Sequence, residues 1–190
     1  MIDTHAHLQA KDFLEDIDEV IKNAKLAGLT KIIIPAITPN DAPRLEELKS
    51  KYGDFLDFSM GIHPHNAGEA NDDFFEIIEN YCKESKIVAI GEAGLDYYYD
   101  FCPKDIQKQV FSRQIQLSKK YDLPIIIHNR QSDEDVLSII KQNQDGNLCG
   151  VLHCFSSDVD MLKKALDLGL FVSFTGNITF KKSELNEVLD

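Results

Sequence analysis

The sequence lacks a surplus of basic residues. Its 190 residues include 20 Lys and Arg against 32 Asp and Glu, which gives a net charge of −12. This balance argues against a protein that binds nucleic acid across a broad basic face. It does not exclude an enzyme that attracts phosphate through bound cations, because metal charge is absent from the count. The apolar fraction of 43% is ordinary for a globular chain and excludes a disordered one.

Long apolar runs and paired cysteines are also missing. No run approaches the roughly 18 apolar residues that a membrane helix needs. The first residues, Met-Ile-Asp-Thr-His-Ala-His, lack the basic and apolar regions of a signal peptide. The four cysteines, Cys82, Cys102, Cys149 and Cys154, contain no C-x-x-C pair. We therefore expect a cytoplasmic protein with reduced thiols and no membrane partner.

Short apolar runs rich in β-branched residues alternate with helical patterns along the chain. The predicted strands lie at 1–4, 31–36, 55–61, 87–91, 123–127, 149–152 and 170–174. The predicted helices lie at 13–27, 41–51, 72–82, 104–121, 133–142 and 158–168. This alternation predicts an α/β fold with a parallel sheet, which is either a doubly wound open sheet or a (β/α)₈ barrel.

No glycine-rich phosphate loop of the G-x-G-x-x-G or G-x-x-x-x-G-K-[ST] kind follows any predicted strand. This absence weakens the nucleotide-binding open sheet. A barrel typically needs about 250 residues, and this chain is shorter. No linker, repeat or low-complexity segment interrupts the pattern, so residues 1–190 are predicted to form a single domain.

All six histidines lie at, or within a few residues of, the carboxyl ends of predicted strands. They are His5, His7, His63, His65, His128 and His153. Residues i and i+2 of a strand point to the same side, so His5 and His7 can present two imidazoles to one cation, with Asp3 beside them. Glu92 follows the fourth predicted strand. In a parallel barrel the carboxyl ends of the strands share one face, so we predict a divalent metal site there.

Three further features leave more than one interpretation open. His63-Pro64-His65 offers metal ligands, substrate contacts or a structured turn. Arg130 can hold a phosphate bidentately or form an ion pair at the surface or at the start of a helix. The run from Tyr97 to Tyr99 can stack nucleobases or simply pack its loop.

Six motifs occur in order along almost the whole chain. They are Asp3-Thr-His-Ala-His-Leu8, Gly61-Ile-His-Pro-His65, Ala89-Ile-Gly-Glu-Ala-Gly-Leu-Asp-Tyr-Tyr98, Ile125-Ile-Ile-His-Asn-Arg130, Gly150-Val-Leu-His-Cys-Phe-Ser156 and Phe174-Thr-Gly-Asn-Ile-Thr-Phe180. Together they resemble the motifs of the TatD family of metal-dependent deoxyribonucleases. The resemblance implies a TIM-like barrel of the amidohydrolase kind with two divalent ions, Mg²⁺, Mn²⁺ or Zn²⁺.

The resemblance also implies the roles of individual residues. The implied metal ligands are His5, His7, Glu92, His128 and His153. The first two would hold one ion and the last two the other, with the glutamate bridging both and serving in catalysis. The implied substrate-binding residues are His63, His65 and Arg130. The implied reaction is hydrolysis of DNA phosphodiester bonds, as a 3′–5′ exonuclease acting on a single strand or a free 3′ end.

Two alternatives accompany this reading. Related barrels hydrolyse amides and lactones with a carboxylated lysine between the metals, whereas Glu92 occupies that place here. Family members also continue into an eighth strand whose Asp completes the first metal site, whereas this chain ends at Asp190. Residues 183–190 are predicted to form the first turns of a helix. We therefore expect a barrel without its eighth strand, impaired catalysis and a partner chain able to supply the missing strand.

Overall fold

Seven parallel strands alternate with helices in the computed structural model, which describes residues 1–181 and 185–189. The strands are β1 (Ile2–Asp3), β2 (Lys31–Pro35), β3 (Leu56–Ser59), β4 (Ile90–Asp96), β5 (Ile125–Arg130), β6 (Gly150–Leu152) and β7 (Leu170–Val172). The helices are α1 (Ile17–Leu26), α2 (Ala42–Tyr52), α3 (Asp72–Lys83), α4 (Lys104–Tyr121), α5 (Asp133–Asn143), α6 (Val159–Asp167) and α7 (Asn186–Leu189). The predicted α/β class is confirmed.

The spatial order of the strands follows their order in the chain. β1, β2 and β3 form one parallel ladder, and β4 to β7 form a second. A parallel bridge between Met60 and Ile90 joins the two ladders. Among the described residues no ladder pairs β7 with β1, so the barrel wall stays open at that seam. All seven strands therefore direct their carboxyl ends to one rim, as in a (β/α) barrel.

Local capping explains where several helices begin. Asn71 accepts a hydrogen bond from the backbone N–H of Phe74 at 2.9 Å and so starts α3. Asp158 accepts from the N–H of Met161 at 2.8 Å and starts α6. Each cap satisfies an N–H that the helix itself leaves unpaired. The helix predicted at 104–121 coincides with α4, whereas the one predicted at 13–27 begins only at Ile17. Of the helix predicted over 183–190, residues 183, 184 and 190 lie outside the described residues.

Two strands extend further toward the rim than the sequence predicts. The fourth strand was predicted at 87–91, but β4 runs from Ile90 to Asp96. β5 likewise continues past 127 to Arg130. Glu92 and His128 therefore lie within strands rather than after them. The prediction failed because polar residues normally end a buried strand, whereas here their partners across the rim satisfy them.

The core lies between the strands and the outer helices. Ile125, Ile126 and Ile127 are all buried, so the first half of β5 is apolar on both faces. Buried residues from both ladders belong to one hydrophobic cluster. None of the helices described here is long and apolar enough to cross a membrane.

Candidate metal centre

The carboxyl rim brings together polar residues from five of the seven strands. His5 and His7 follow β1, and His63 and His65 follow β3. Glu92 lies in β4, His128 lies in β5, and His153 follows β6. Because the strands are parallel and in chain order, these side chains converge on one point at the carboxyl face.

Glu92 lies at the centre of this convergence and is 2% exposed. Its Oε2 lies 3.2 Å from His5 Nε2 and 3.3 Å from His7 Nε2. Its Oε1 lies 2.9 Å from His128 Nδ1 and 2.6 Å from His153 Nε2. Each carboxylate oxygen therefore faces its own pair of imidazoles. We call these five residues the histidine–carboxylate cluster.

The surroundings of Glu92 stabilise its ionised form. Burial alone would raise the pKa of Glu92, but hydrogen bonds from the surrounding histidines outweigh it and hold the pKa well below its usual range. The backbone beside it is also fixed, because Ser59 Oγ donates to the carbonyl oxygen of Gly91 at 2.8 Å. Glu92 therefore presents an ionised carboxylate in a fixed orientation.

Several imidazole nitrogens in the cluster approach one another closely. His5 Nε2 lies 3.1 Å from His7 Nε2, and His153 Nε2 lies 3.4 Å from His128 Nδ1. The rings of His5 and His153 stack at 3.9 Å between centroids. Burial lowers the pKa of His153, which favours its neutral form. Neutral imidazoles with a carboxylate between them are the donor set that divalent zinc and manganese accept.

His63 borders the cluster but differs chemically from the other histidines. Its Nε2 lies 3.6 Å from Glu92 Oε1. Its Nδ1 accepts a hydrogen bond from the backbone N–H of His65 at 3.2 Å. Burial lowers the pKa of His63 to about 3, so the ring is neutral and its single proton resides on Nε2. Distance groups His63 with Glu92 and His128 as potential metal ligands, and in this tautomer the Nε2–H of His63 can donate a hydrogen bond.

Asp96 is a site residue that the sequence interpretation missed. It is 1% exposed, and its Oδ2 lies 3.0 Å from His128 Nε2 and 2.8 Å from His65 Nε2. Burial would raise the pKa of Asp96, but the backbone N–H of Tyr99 and the two histidines lower it. No signal in the sequence pointed to Asp96, because the fourth strand was predicted to end at residue 91; only in the longer β4 do Glu92 and Asp96, four residues apart, share one side of a strand.

Two carboxylates therefore hold His128 from both ring nitrogens. Burial alone would lower the pKa of His128, but Glu92 and Asp96 together raise it. An ionised carboxylate only accepts hydrogen bonds, so Asp96 fixes the proton on Nε2. Nδ1 in turn donates to the ionised Glu92. A metal ion bound at the cluster would replace this Nδ1 proton, whereas Asp96 would keep the proton on Nε2, as in the carboxylate–histidine–metal arrangement of many metal sites.

A buried glutamine of α4 supports Asp96 from behind. Gln107 Oε1 accepts from the backbone N–H of Asp96 at 2.8 Å, and its Nε2 donates to the Asp96 carbonyl at 3.0 Å. Gln114, two turns further along α4, holds Ile62 in the same manner with distances of 2.8 and 3.0 Å. Both glutamines anchor backbone next to site residues, and neither was predicted from the sequence.

Arg130 lies outside the cluster, at the exposed end of β5. Its guanidinium carbon is 4.0 Å from the ring centre of Tyr98 and 4.9 Å from that of Tyr99. No carboxylate in the described part of the chain pairs with it. The alternative of a surface ion pair is therefore not what the structure shows for Arg130.

A parallel α/β fold with imidazoles and carboxylates at its carboxyl rim defines a metal-dependent hydrolase of the barrel type. The sequence profile described as "TatD related DNase" matches residues 2–190. The chain belongs to the TatD family.

Individual relatives agree with this assignment. The chain is 38% identical to "Uncharacterized metal-dependent hydrolase YabD" of Bacillus subtilis, and the match covers 97% of this chain and 72% of that protein. It is 30% identical to "3'-5' ssDNA/RNA exonuclease TatD" of Erwinia tasmaniensis, over 100% of this chain and 74% of that protein. The crystal structure of the Escherichia coli TatD homologue YJJV superposes with a TM-score of 0.90 at 29% identity, covering 97% of this chain and 71% of that one.

Proposed function

We propose that this chain hydrolyses DNA phosphodiester bonds with two divalent metal ions, as a 3′–5′ exonuclease on single strands. The observation that carries the proposal is the convergence of four imidazoles on the two oxygens of one buried carboxylate. The Erwinia relative, named as a single-strand exonuclease, supports the choice of substrate.

The ligand atoms of the histidine–carboxylate cluster suit two bound divalent ions better than a metal-free state. Four imidazole nitrogens face the two oxygens of Glu92, two of them 3.1 Å apart, and each would offer a lone pair once its proton is displaced. Cations on either side of the carboxylate would satisfy these lone pairs. We propose that His5 and His7 hold one ion, that His128 and His153 hold the other, and that Glu92 bridges both.

Bound divalent ions would polarise the phosphoryl group and lower the pKa of the attacking water. The residues of the chain would then position the strand. His63 carries a proton on Nε2 and can donate it in a hydrogen bond to a phosphate oxygen without adding charge. His65 and Arg130 stand further out, where we propose that they contact the neighbouring phosphate.

The decisive experiment incubates the purified protein and Mn²⁺ with a 5′-labelled single-stranded oligonucleotide. We expect a ladder shortened from the 3′ end. Glu92→Gln should lower the rate by about 10²-fold or more, because it removes the charge shared by both metal sites. Glu76→Gln, an exposed residue of α3, makes the same charge change and should leave the rate unaltered. An intact strand with Mg²⁺, Mn²⁺ and Zn²⁺ alike would refute the proposal.

Three further properties extend the proposal. We propose that residues 1–190 act as one domain, since a single core cluster spans both ladders.

We also propose that a further strand pairs with the open seam, where Phe171 of β7 is 70% exposed. Light scattering of the purified chain would test whether a second copy provides that strand. The four unpaired thiols support a reducing compartment such as the cytoplasm, which cell fractionation would check.

A further inference from the structure

Three aromatic rings project into solvent from the loop that follows β4. Tyr98, Tyr99 and Phe101 are 53%, 41% and 66% exposed. The Tyr98 and Tyr99 rings meet edge to face at 4.8 Å, and the Tyr99 and Phe101 rings stack at 5.3 Å. We call these three residues the aromatic surface. Contiguous exposed rings of this kind mark binding sites on protein surfaces.

Tyr97, the first tyrosine of the same run, is fully explained by contacts within the protein. Its hydroxyl donates to Asp135 Oδ2 at 2.7 Å, and Lys104 Nζ lies 4.2 Å from its ring centre. Packing and ion contacts therefore explain Tyr97. They do not explain the aromatic surface, whose rings face away from the core.

The aromatic surface is tied to the metal centre by one carboxylate. Asp96 Oδ1 accepts from the backbone N–H groups of Tyr98 and Tyr99 at 3.0 and 3.1 Å. Its other oxygen contacts His65, whose ring lies 5.3 Å from Tyr99 and 4.8 Å from Phe101. The same carboxylate therefore sets the position of the rings and the orientation of the site histidines.

A cation with no carboxylate partner among the residues that the structure describes completes this surface. The Arg130 guanidinium lies over the rings of Tyr98 and Tyr99. With a net charge of −12, the chain offers little general attraction for a polyanion. Aromatic faces beside an arginine are the means by which proteins hold single-stranded nucleic acid, since rings stack on bases and guanidinium pairs with phosphate.

We propose that Tyr98, Tyr99, Phe101 and Arg130 form a nucleotide-binding surface that stacks an unpaired nucleobase and pairs with its phosphate. The inference rests on the proposed function for the direction of the strand, whose scissile bond would lie at the histidine–carboxylate cluster. It assigns the preference for single strands to base stacking, because paired bases do not expose their faces.

Binding can be measured without catalysis. Fluorescence anisotropy in EDTA would compare a dye-labelled ten-nucleotide thymidine strand with one whose last two 3′ nucleosides are abasic. Both probes carry the same phosphates. The wild-type protein should bind the normal strand about 5- to 100-fold more tightly, the range expected for one stacked base.

Variants locate the preference on the surface. Tyr98→Ala and Phe101→Ala should reduce the ratio of the two affinities toward one, whereas Tyr98→Phe should keep it. Leu166→Ala removes an exposed apolar side chain of α6, away from the aromatic surface, and should keep the ratio too. Arg130→Gln should lower the affinity for both probes by the same factor. Thermal unfolding would confirm that each variant is folded.

The outcomes distinguish nucleobase binding by the aromatic surface from hydrolysis at the histidine–carboxylate cluster. Equal binding of the two probes by the wild-type protein, or no binding of either, would overturn the inference even if Mn²⁺-dependent cleavage occurs. A base-dependent affinity without cleavage would support the surface while refuting the proposed hydrolysis.

Discussion

Asp96 holds His128 from the side opposite to Glu92, with 3.0 Å between Asp96 Oδ2 and His128 Nε2. His128 Nδ1 lies 2.9 Å from Glu92 Oε1. The imidazole is thus fixed in rotation before any ion binds, with its Nε2 proton directed at Asp96. Preset ligands lose less freedom on binding, which raises metal affinity.

Asp96→Asn should weaken Mn²⁺ binding by about 10- to 100-fold, because the amide no longer holds the proton on His128 Nε2 as a carboxylate does. Calorimetric titration would give the affinity. The ¹⁵N chemical shifts of the His128 ring would report the tautomer independently. Asp100→Asn, exposed in the same loop, should change neither quantity. An unaltered tautomer in Asp96→Asn would show that Asp96 does not position His128.

Gln114→Leu should lower the free energy of unfolding by about 2–5 kcal/mol. The substitution leaves the buried N–H and carbonyl of Ile62 without partners, and each costs about 1–3 kcal/mol. Urea denaturation would measure the loss. Gln109→Leu on the exposed face of α4 makes the same change in side chain and should cost little. Comparable stabilities of the two variants would contradict the anchoring role of Gln114.

Gly94 permits the close approach of β4 to β5. Its φ is +145°, and a Cβ there would overlap the carbonyl oxygen of His128. Gly94→Ala should therefore cost about 2–4 kcal/mol of stability and displace His128, with weaker Mn²⁺ binding. Gly176→Ala, where a Cβ meets nothing within 4 Å, provides the matched control. Retention of full Mn²⁺ affinity by Gly94→Ala would argue against this tight packing.

The element types and the five proposed ligands could be predicted from the sequence, because β-branched runs and an H-x-H pair at strand ends are local patterns. Asp96 and Gln114 could not be predicted in the same way. Their roles depend on groups 32 and 52 residues away along the chain. The end of β4 was also misplaced, since nothing local shows that a buried Glu92 finds four partners across the rim.

Asp57 links stability to pH at the opposite end of β3. Burial would raise its pKa, but hydrogen bonds from Lys31 and Lys49 outweigh this and lower it. A lowered pKa in the folded state stabilises the protein above the unfolded pKa, and this contribution is lost as pH falls through the folded value. Asp57→Asn should therefore cost about 1 kcal/mol at pH 7 and progressively less below about pH 4.

Urea denaturation across pH 3–7 would show whether the curves of Asp57→Asn and the wild-type protein converge in acid. Asp54→Asn serves as the control, because Asp54 is fully exposed and its nearest approach to Lys49 is 3.7 Å. A difference between Asp57→Asn and wild type that stays constant down to pH 3 would disprove the linkage.

The central claim is that the histidine–carboxylate cluster holds divalent ions on both sides of Glu92. Anomalous diffraction from crystals grown with Mn²⁺ tests it most directly. We predict two peaks about 3.5–4 Å apart, one beside His5 and His7 and the other beside His128 and His153, both absent in Glu92→Gln. A wild-type map without anomalous density at the cluster would contradict the account.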